Sequence, residues 1–304
     1  MNAVDINNLV KIYDNKFKAL KKINLSIPKG SFFGLLGPNG AGKTTTIGIL
    51  TGLVNKTSGS TRVFGNDTIE NFRQARTLIG LSPQELNFDV FFTIEELLTL
   101  QAGYFNKNKR EARKRVEEML EYFNLTEKRK CKARELSGGM KRRVQIAKAF
   151  IHNPPLIILD EPTAGVDIEL RYQLWDFLKE ENKKGKTILL TTHYIEEAEK
   201  LCDQIAIINH GNIIANGKTD DLISNMGKNH IKIETTIKEG AIIKNCKWNY
   251  TVKNNEITLQ TNKPESDIID IINCINDNSI SIDKIKTEKS TLEEIFIKLT
   301  NNNE

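Results

Sequence analysis

The chain has 304 residues, 39% apolar and 27% charged, which suits a folded protein of about two domains and excludes disordered and fibrous chains. Its 44 Lys and Arg against 39 Asp and Glu leave a formal charge of +5, spread along the chain rather than gathered into the stripe of a nucleic-acid binder. No run nears the roughly 18 apolar residues of a spanning helix, and Met1-Asn2-Ala3-Val4-Asp5 has no basic or apolar leader, so neither an integral membrane protein nor a secreted one is expected. The four cysteines (Cys131, Cys202, Cys246, Cys274) are far apart and form no C-x-x-C pair, which favours reduced thiols over a zinc site or a disulfide framework.

In chain order, Leu20–Ile27 alternates with period two and Pro28-Lys29-Gly30 signals a turn, so the opening segment reads as strands. Ser31 to Leu36 is nearly all apolar, as in a strand covered on both faces. A helix is predicted from Lys43 to about Gly52, then a loop and strand from Thr57-Ser58-Gly59. Between about 85 and 153 the pattern turns helical. Thr93-Ile94-Glu95-Glu96 is a capping box opening a helix through Leu100, and 108–123 is charged and amphipathic with Val116, Met119, Leu120 and Phe123 on one stripe. A third helix follows Ser137. Strands resume at Leu156–Asp160, Thr187–Thr191 and Gln204–Asn209, giving a mostly parallel α/β core with a helical insertion. From about 219 onward, short alternating strands (Ile231–Glu234, Glu256–Leu259) surround an Ile-rich helix after Ser266. A second capping box, Ser290-Thr291-Leu292-Glu293, opens a last helix with Leu292, Ile295, Phe296 and Leu299 inward. This tail reads as a small α+β domain, 219–304, appended to a main domain of 1–218.

Two segments carry the chemistry. Gly37-Pro38-Asn39-Gly40-Ala41-Gly42-Lys43-Thr44 fits G-x-x-x-x-G-K-[ST] and lies between an apolar strand and a helix. There the glycines let backbone N–H groups wrap phosphates at a helix N-terminus, Lys43 would reach the β- and γ-phosphates, and the Thr44 hydroxyl would ligand Mg²⁺. Thr45 can add a hydroxyl contact. In Leu156-Ile157-Ile158-Leu159-Asp160-Glu161 a buried strand ends in two carboxylates, which is costly unless they meet a cation or a proton-transfer task. Asp160 would hold Mg²⁺ through water, and Glu161 would act as general base toward the attacking water.

A loop and a carboxylate pair specify a nucleotide hydrolase but not its class. Leu136-Ser137-Gly138-Gly139-Met140-Lys141-Arg142-Arg143 does: over roughly residues 1–218 the chain resembles an ATP-binding cassette (ABC) ATPase. The resemblance implies a P-loop NTPase (RecA-like) core with an antiparallel β subdomain and an inserted helical subdomain. It also implies two copies packed head to tail around two MgATP. Each ATP would be held by one chain's glycine loop and closed by the second chain's Ser137, Gly138 and Gly139, the exposed start of a capped helix. By the same resemblance Tyr13 stacks on adenine, with a core-strand tyrosine as the alternative. Gln84 senses Mg²⁺ and the water and links core to insertion. Asp167 communicates across the dimer, and His193, closing a strand, contacts the γ-phosphate. The other histidines (His152, His210, His230) show no ligand spacing.

Met140 stands where many family members carry glutamine. Together with Thr163–Arg171, the Thr192–Glu199 run and Ser290–Phe296, it resembles a bacterial exporter branch whose ATPase and permease are separate polypeptides. The expected partners are therefore a second copy and a separate integral membrane permease, with no nucleic acid, at the cytoplasmic face of the bacterial membrane. Phe88, Phe91 and Phe92 are a candidate docking surface for a permease helix, with burial inside the insertion as the alternative. A cassette ATPase acting on ribosomes or nucleic acid is the rival reading; such relatives fuse two cassettes or insert coiled coils or zinc modules, and neither is seen here.

Overall fold

The structure, a computed structural model, describes residues 1–301 apart from 88, 90, 228, 237–241, 262, 263 and 289. It divides into two compact units, Met1–Lys218 and Thr219–Glu304.

In the first unit an antiparallel sheet runs in the order Lys18–Pro28, Asn2–Ile12, Ser58–Val63, Asn66–Asp67. A six-stranded sheet runs in the order Asn212–Lys218, Gln204–Asn209, Phe32–Leu36, Thr187–Thr192, Leu156–Asp160, Ile79–Ser82. All its neighbours are parallel except the edge strand Asn212–Lys218. Parallel strands need crossovers on the sheet faces, so the central ones are covered on both sides. Every residue of Phe32–Leu36, Leu156–Asp160 and Thr187–Thr192 is accordingly buried. One core layer joins both sheets to the helix Lys43–Leu50: Phe33, Leu35, Ile158 and Leu189 meet Ile47, Leu50, Ile6 and Ile23.

Between Ile79–Ser82 and Leu156–Asp160, which are adjacent in the sheet, the described residues make three α-helices, Ile94–Tyr104, Lys109–Tyr122 and Gly138–Phe150. The first opens on the expected reciprocal cap, with Thr93 N donating to Glu96 Oε2 (2.8 Å) and Glu96 N to Thr93 Oγ1 (3.3 Å). Val116, Met119, Leu120 and Phe123 are all buried, and Phe123 and Tyr122 pack on Phe177 of the helix Ile168–Lys183. Phe91 and Phe92, read as either docking surface or core, are exposed at 74% and 37%; Phe88 lies outside the described residues.

The second unit is an antiparallel sheet in the order Tyr250–Lys253, Glu256–Thr261, Asn229–Glu234, Lys284–Glu288, with the helix Pro264–Asp277. Asn254 and Asn255 both have positive φ (51° and 58°), the backbone of a tight two-residue hairpin that asparagine tolerates. Ile231, Ile233, Ile257, Leu259, Ile271 and Ile275 form its core.

Two details differ from the sequence reading. The Ile-rich helix begins at Pro264 rather than after Ser266, and proline suits a first helical position because its missing N–H is unpaired there anyway. The last helix, Leu292–Asn301, is capped by Thr291, whose Oγ1 accepts from Glu294 N (3.3 Å), one residue on from the expected cap at Ser290, which is buried.

Candidate active site

The order of the six-stranded sheet assembles the site. Four neighbouring parallel strands end on one side, at Leu36, Thr192, Asp160 and Ser82, with Leu36 in register with Thr192, Thr191 with Asp160, and Leu159 with Ser82. Each hands the next few residues to the same edge: the glycine loop after Leu36, His193 after Thr192, Glu161 after Asp160, and Pro83-Gln84 after Ser82. Ligands of open parallel sheets bind in this crevice at the carboxyl ends of the strands.

The loop after Phe32–Leu36 turns through Gly40 and Gly42 at φ +80° and +116°, which only glycine adopts freely. Gly37 is fixed by lack of space: a Cβ there would lie 2.3 Å from the carbonyl oxygen of Ile208 on the neighbouring strand. The helix Lys43–Leu50 starts at Gly42 with no side-chain cap and no acidic residue in its first turn, so its first N–H groups face the loop unneutralised. Lys43 is buried and folds back over the loop, donating to Gly37 O (2.7 Å) and Pro38 O (3.2 Å). Burial pulls its pKa below the usual lysine value, while the charges of Glu161 and Asp160 oppose that shift. Pro38, Asn39, Gly40 and Thr44 are exposed and Ala41 is buried; the Tyr13 hydroxyl lies 3.3 Å from Thr45 Oγ1, with the ring half-exposed rather than in a strand core.

Asp160 is buried and accepts a hydrogen bond from the Thr191 hydroxyl. Glu161 is a non-glycine residue at φ +49°, held there by its N–H donating to Thr191 O (3.0 Å). Its Oε2 accepts from Gln84 Nε2 (3.1 Å) and lies 3.3 Å from His193 Nδ1. Gln84, Glu161 and His193, which are far apart in sequence, thus meet at one oxygen. Ser137 and Asp167 each cap a helix. Ser137 Oγ accepts from Met140 N (3.3 Å), with Ser137 and Gly138 exposed and Gly139 half-buried, and Asp167 Oδ1 accepts from Leu170 N (2.8 Å). Among the described residues, neither is hydrogen-bonded to residues 37–45.

Three residues at the site have no short-range signal in the sequence. Arg142 and Gln145, on the helix Gly138–Phe150, hold the backbone around Gln84. Glu197, wholly buried and with its pKa raised by that burial, accepts from Thr163 Oγ1 (3.2 Å) and Trp175 Nε1 (2.9 Å). It ties the loop after Glu161 to the helix that Asp167 caps.

Residues 20–164 match the family model described as ABC transporter. The chain is 41% identical over 231 residues to the Nod factor export ATP-binding protein I of Burkholderia orbicola (strain AU 1054), covering 76% of each chain. The chain belongs to the ABC transporter family. As an ABC ATP-binding subunit it binds and hydrolyses ATP. Its similarity to the linearmycin resistance ATP-binding protein LnrL of Bacillus subtilis (strain 168) is 43% over 230 residues, 76% of this chain and 73% of that one. A dimeric ATP-binding cassette in a post-hydrolysis state, bound to ADP and Pi, superposes with a TM-score of 0.67 at 30% identity, over 71% of this chain and 98% of that one. Among the described residues no helix is long and apolar enough to cross a membrane.

The residues expected to hold a divalent cation, Thr44, Gln84 and Asp160, offer a hydroxyl, an amide oxygen and a carboxylate, with the Glu161 carboxylate beside Gln84. All-oxygen donors of this kind suit Mg²⁺ carried in on a nucleotide's phosphates. At Gly37 and Gly42 a Cβ would run into Ile208, Ala19 and Leu20, so the loop is packed closely against the strands behind it.

Proposed function

We propose that this chain is the energising subunit of an exporter, in which two copies pack head to tail around two MgATP and drive a separate membrane permease. The observation that carries the reading is the separation of the site's parts. The glycine loop and the Gln84–Glu161–His193 cluster share one sheet edge, whereas Ser137 at the helix tip is exposed and, among the described residues, its side chain bonds only within its own helix. An exposed helix start directs its first N–H groups outward and suits an anion, such as the γ-phosphate held by a second copy. The dimeric relative bound to ADP and Pi and the relatives named for export and resistance support this reading.

In this reading the backbone of 37–44 and Lys43 hold the phosphates, Thr45 adds a hydroxyl contact, and Tyr13 stacks on the base. Thr44, Gln84 and Asp160 would hold Mg²⁺, which would supply positive charge beside the nucleotide's phosphates. Glu161 takes the proton of the attacking water; Gln84 and His193 both reach Oε2 and so orient that carboxylate. Asp167 acts across the dimer. The closed and open dimers differ in affinity only while ATP bridges them, and that difference does work on the permease. Exposed Phe91 and Phe92 offer the permease an apolar contact at the membrane's cytoplasmic face.

The test is Glu161→Gln, which keeps the size of the side chain and removes its basicity. The variant is expected to bind MgATP as the wild type does and to hydrolyse it at least 100-fold more slowly, within the range general-base catalysis supplies. Turnover within a few-fold of wild type would place the base elsewhere.

A further inference from the structure

The helix Gly138–Phe150 has two ends of interest. Its first residues form the exposed Ser137 tip, while one and two turns further along, Arg142 and Gln145 are buried at 6% and 5% exposure and face away from solvent toward the loop at Gln84. They are three apart and therefore on one side of the helix. Arg142 donates through Nη1 to Pro83 O (3.1 Å) and through Nη2 to Gln84 O (3.0 Å). Gln145 Nε2 donates to Pro83 O and Glu85 O, both at 2.7 Å. Three successive carbonyls are thus gripped by four side-chain bonds from one helix face.

Two features mark this as more than ordinary loop packing. The Gln145 amide gives its NH₂ group to two carbonyls, and its Oε1 is buried with no hydrogen-bond partner. Leaving a buried acceptor unpaired is unfavourable, so the clamp is kept at some expense to stability. The residue in the centre of the clamp is Gln84, whose own side chain reaches Glu161 Oε2 at 3.1 Å. A rigid helix, at about 1.5 Å per residue, joins the tip to the clamp over about two turns.

We propose that Arg142 and Gln145 are positioning residues that couple the two nucleotide sites. When the Ser137 tip of one chain closes on ATP held by the second copy, its helix carries residues 83–85 with it and shifts the Gln84–Glu161 contact, already made in the single chain, in that chain's own site. This rests on the two-copy reading above. It adds a route, within one chain, from the ATP that a chain caps to the ATP that it hydrolyses. Its consequence is positive cooperativity: occupancy of one site readies the other.

The experiment measures steady-state ATPase rate against ATP concentration for the wild type, Arg142→Met, Gln145→Met and Arg142→Lys. In parallel, each substitution is placed in the Glu161→Gln background and sized in saturating MgATP. The wild type is expected to show a Hill coefficient above 1. Arg142→Met is expected to fall to 1, with kcat down roughly tenfold, the scale of ordinary coupling between sites, while the ATP-bound dimer persists. Arg142→Lys, which can still reach one carbonyl, should recover part of the cooperativity. Gln145→Met removes two of the four bonds and also the unpaired oxygen, so it folds even if Arg142→Met does not, and it too should lose cooperativity. A purely structural role would lower the yield of folded protein or kcat and leave the Hill coefficient unchanged. A folded, dimerising Arg142→Met or Gln145→Met with the wild-type Hill coefficient overturns the coupling and leaves the two-copy site standing. Failure of Glu161→Gln alone to dimerise overturns the two-copy site itself, and the coupling with it.

Discussion

Gly37 offers the sharpest test of how the fold shapes the phosphate loop. A Cβ at this position would sit 2.3 Å from Ile208 O, about 0.7 Å inside the 3.0 Å that real Cβ atoms respect, and 3.2 Å from Ala41 Cβ. The obstacle in front is backbone of a strand paired to Phe32–Leu36, so it has little room to yield, and the loop moves instead. Overpacking of this kind costs about 1–3 kcal/mol. At about 2–4 °C per kcal/mol for a unit of this size, Gly37→Ala is expected to lower Tm by roughly 2–12 °C. The functional loss is larger than the stability loss. Lys43 donates to the carbonyl of Gly37, so a shift of Gly37 displaces both the backbone cradle and the ammonium, and misplacement by about 1 Å can cost about 100-fold. The control is Gly65→Ala. Gly65 has φ +82° but nothing within 4 Å of a Cβ, so it bears only the left-handed strain of about 1–2 kcal/mol, and ATP affinity should be unchanged. Thermal unfolding and titration with a fluorescent ATP analogue read both quantities. If Gly37→Ala binds ATP within twofold of wild type and loses no more Tm than Gly65→Ala, the steric argument is wrong.

Other variants address other links. Lys43→Ala should abolish saturable MgATP binding up to millimolar concentrations while the fold is retained; wild-type affinity by equilibrium titration would remove Lys43 from the phosphate site. Phe91→Ala, at an exposed position, should keep the basal turnover of the isolated chain and reduce its co-sedimentation with permease-bearing membranes; undiminished co-sedimentation would discard the docking surface. His152 stacks on Phe105 at 3.5 Å, lies 3.1 Å through Nε2 from Ile79 O, and has its pKa pushed down from 6.5 to about 4 chiefly by burial. The unfolded chain therefore binds a proton between about pH 6.5 and 4 that the folded chain refuses. This histidine's contribution is complete above about pH 6.5 and declines as pH falls toward 4, by about 2 kcal/mol between pH 7.5 and 5. Denaturant unfolding of the wild type and His152→Gln at both pH values should show the acid loss shrinking by that amount in the variant; an equal loss in both would exonerate His152.

What could be read in advance followed from how local each signal is. The loop at 37–44 was legible because positive φ and close approach demand glycine at fixed spacing, and because a wholly apolar strand leads into it. The caps at Thr93 and Ser137 depend on residues three positions apart, and both form. At the last helix two adjacent hydroxyl residues could each cap. Burial of Ser290 decides for Thr291, and burial is a tertiary fact. The meeting of Gln84, Glu161 and His193 depends on strand order, which no one segment encodes; the family resemblance anticipated which residues matter but not that they share one oxygen. Arg142, Gln145 and Glu197 were passed over for the same reason. Their partners lie 22 to 62 positions away, and a buried Arg or Glu on a charged helix looks like any solvated one until the neighbours are known.

The head-to-tail sandwich is tested most directly by the solution mass of Glu161→Gln in saturating MgATP. The account predicts two copies with ATP and one without, and loss of the pair when Ser137→Arg is added to block the exposed helix tip. A single copy at every ATP concentration, in the presence or absence of permease-bearing membranes, would contradict it.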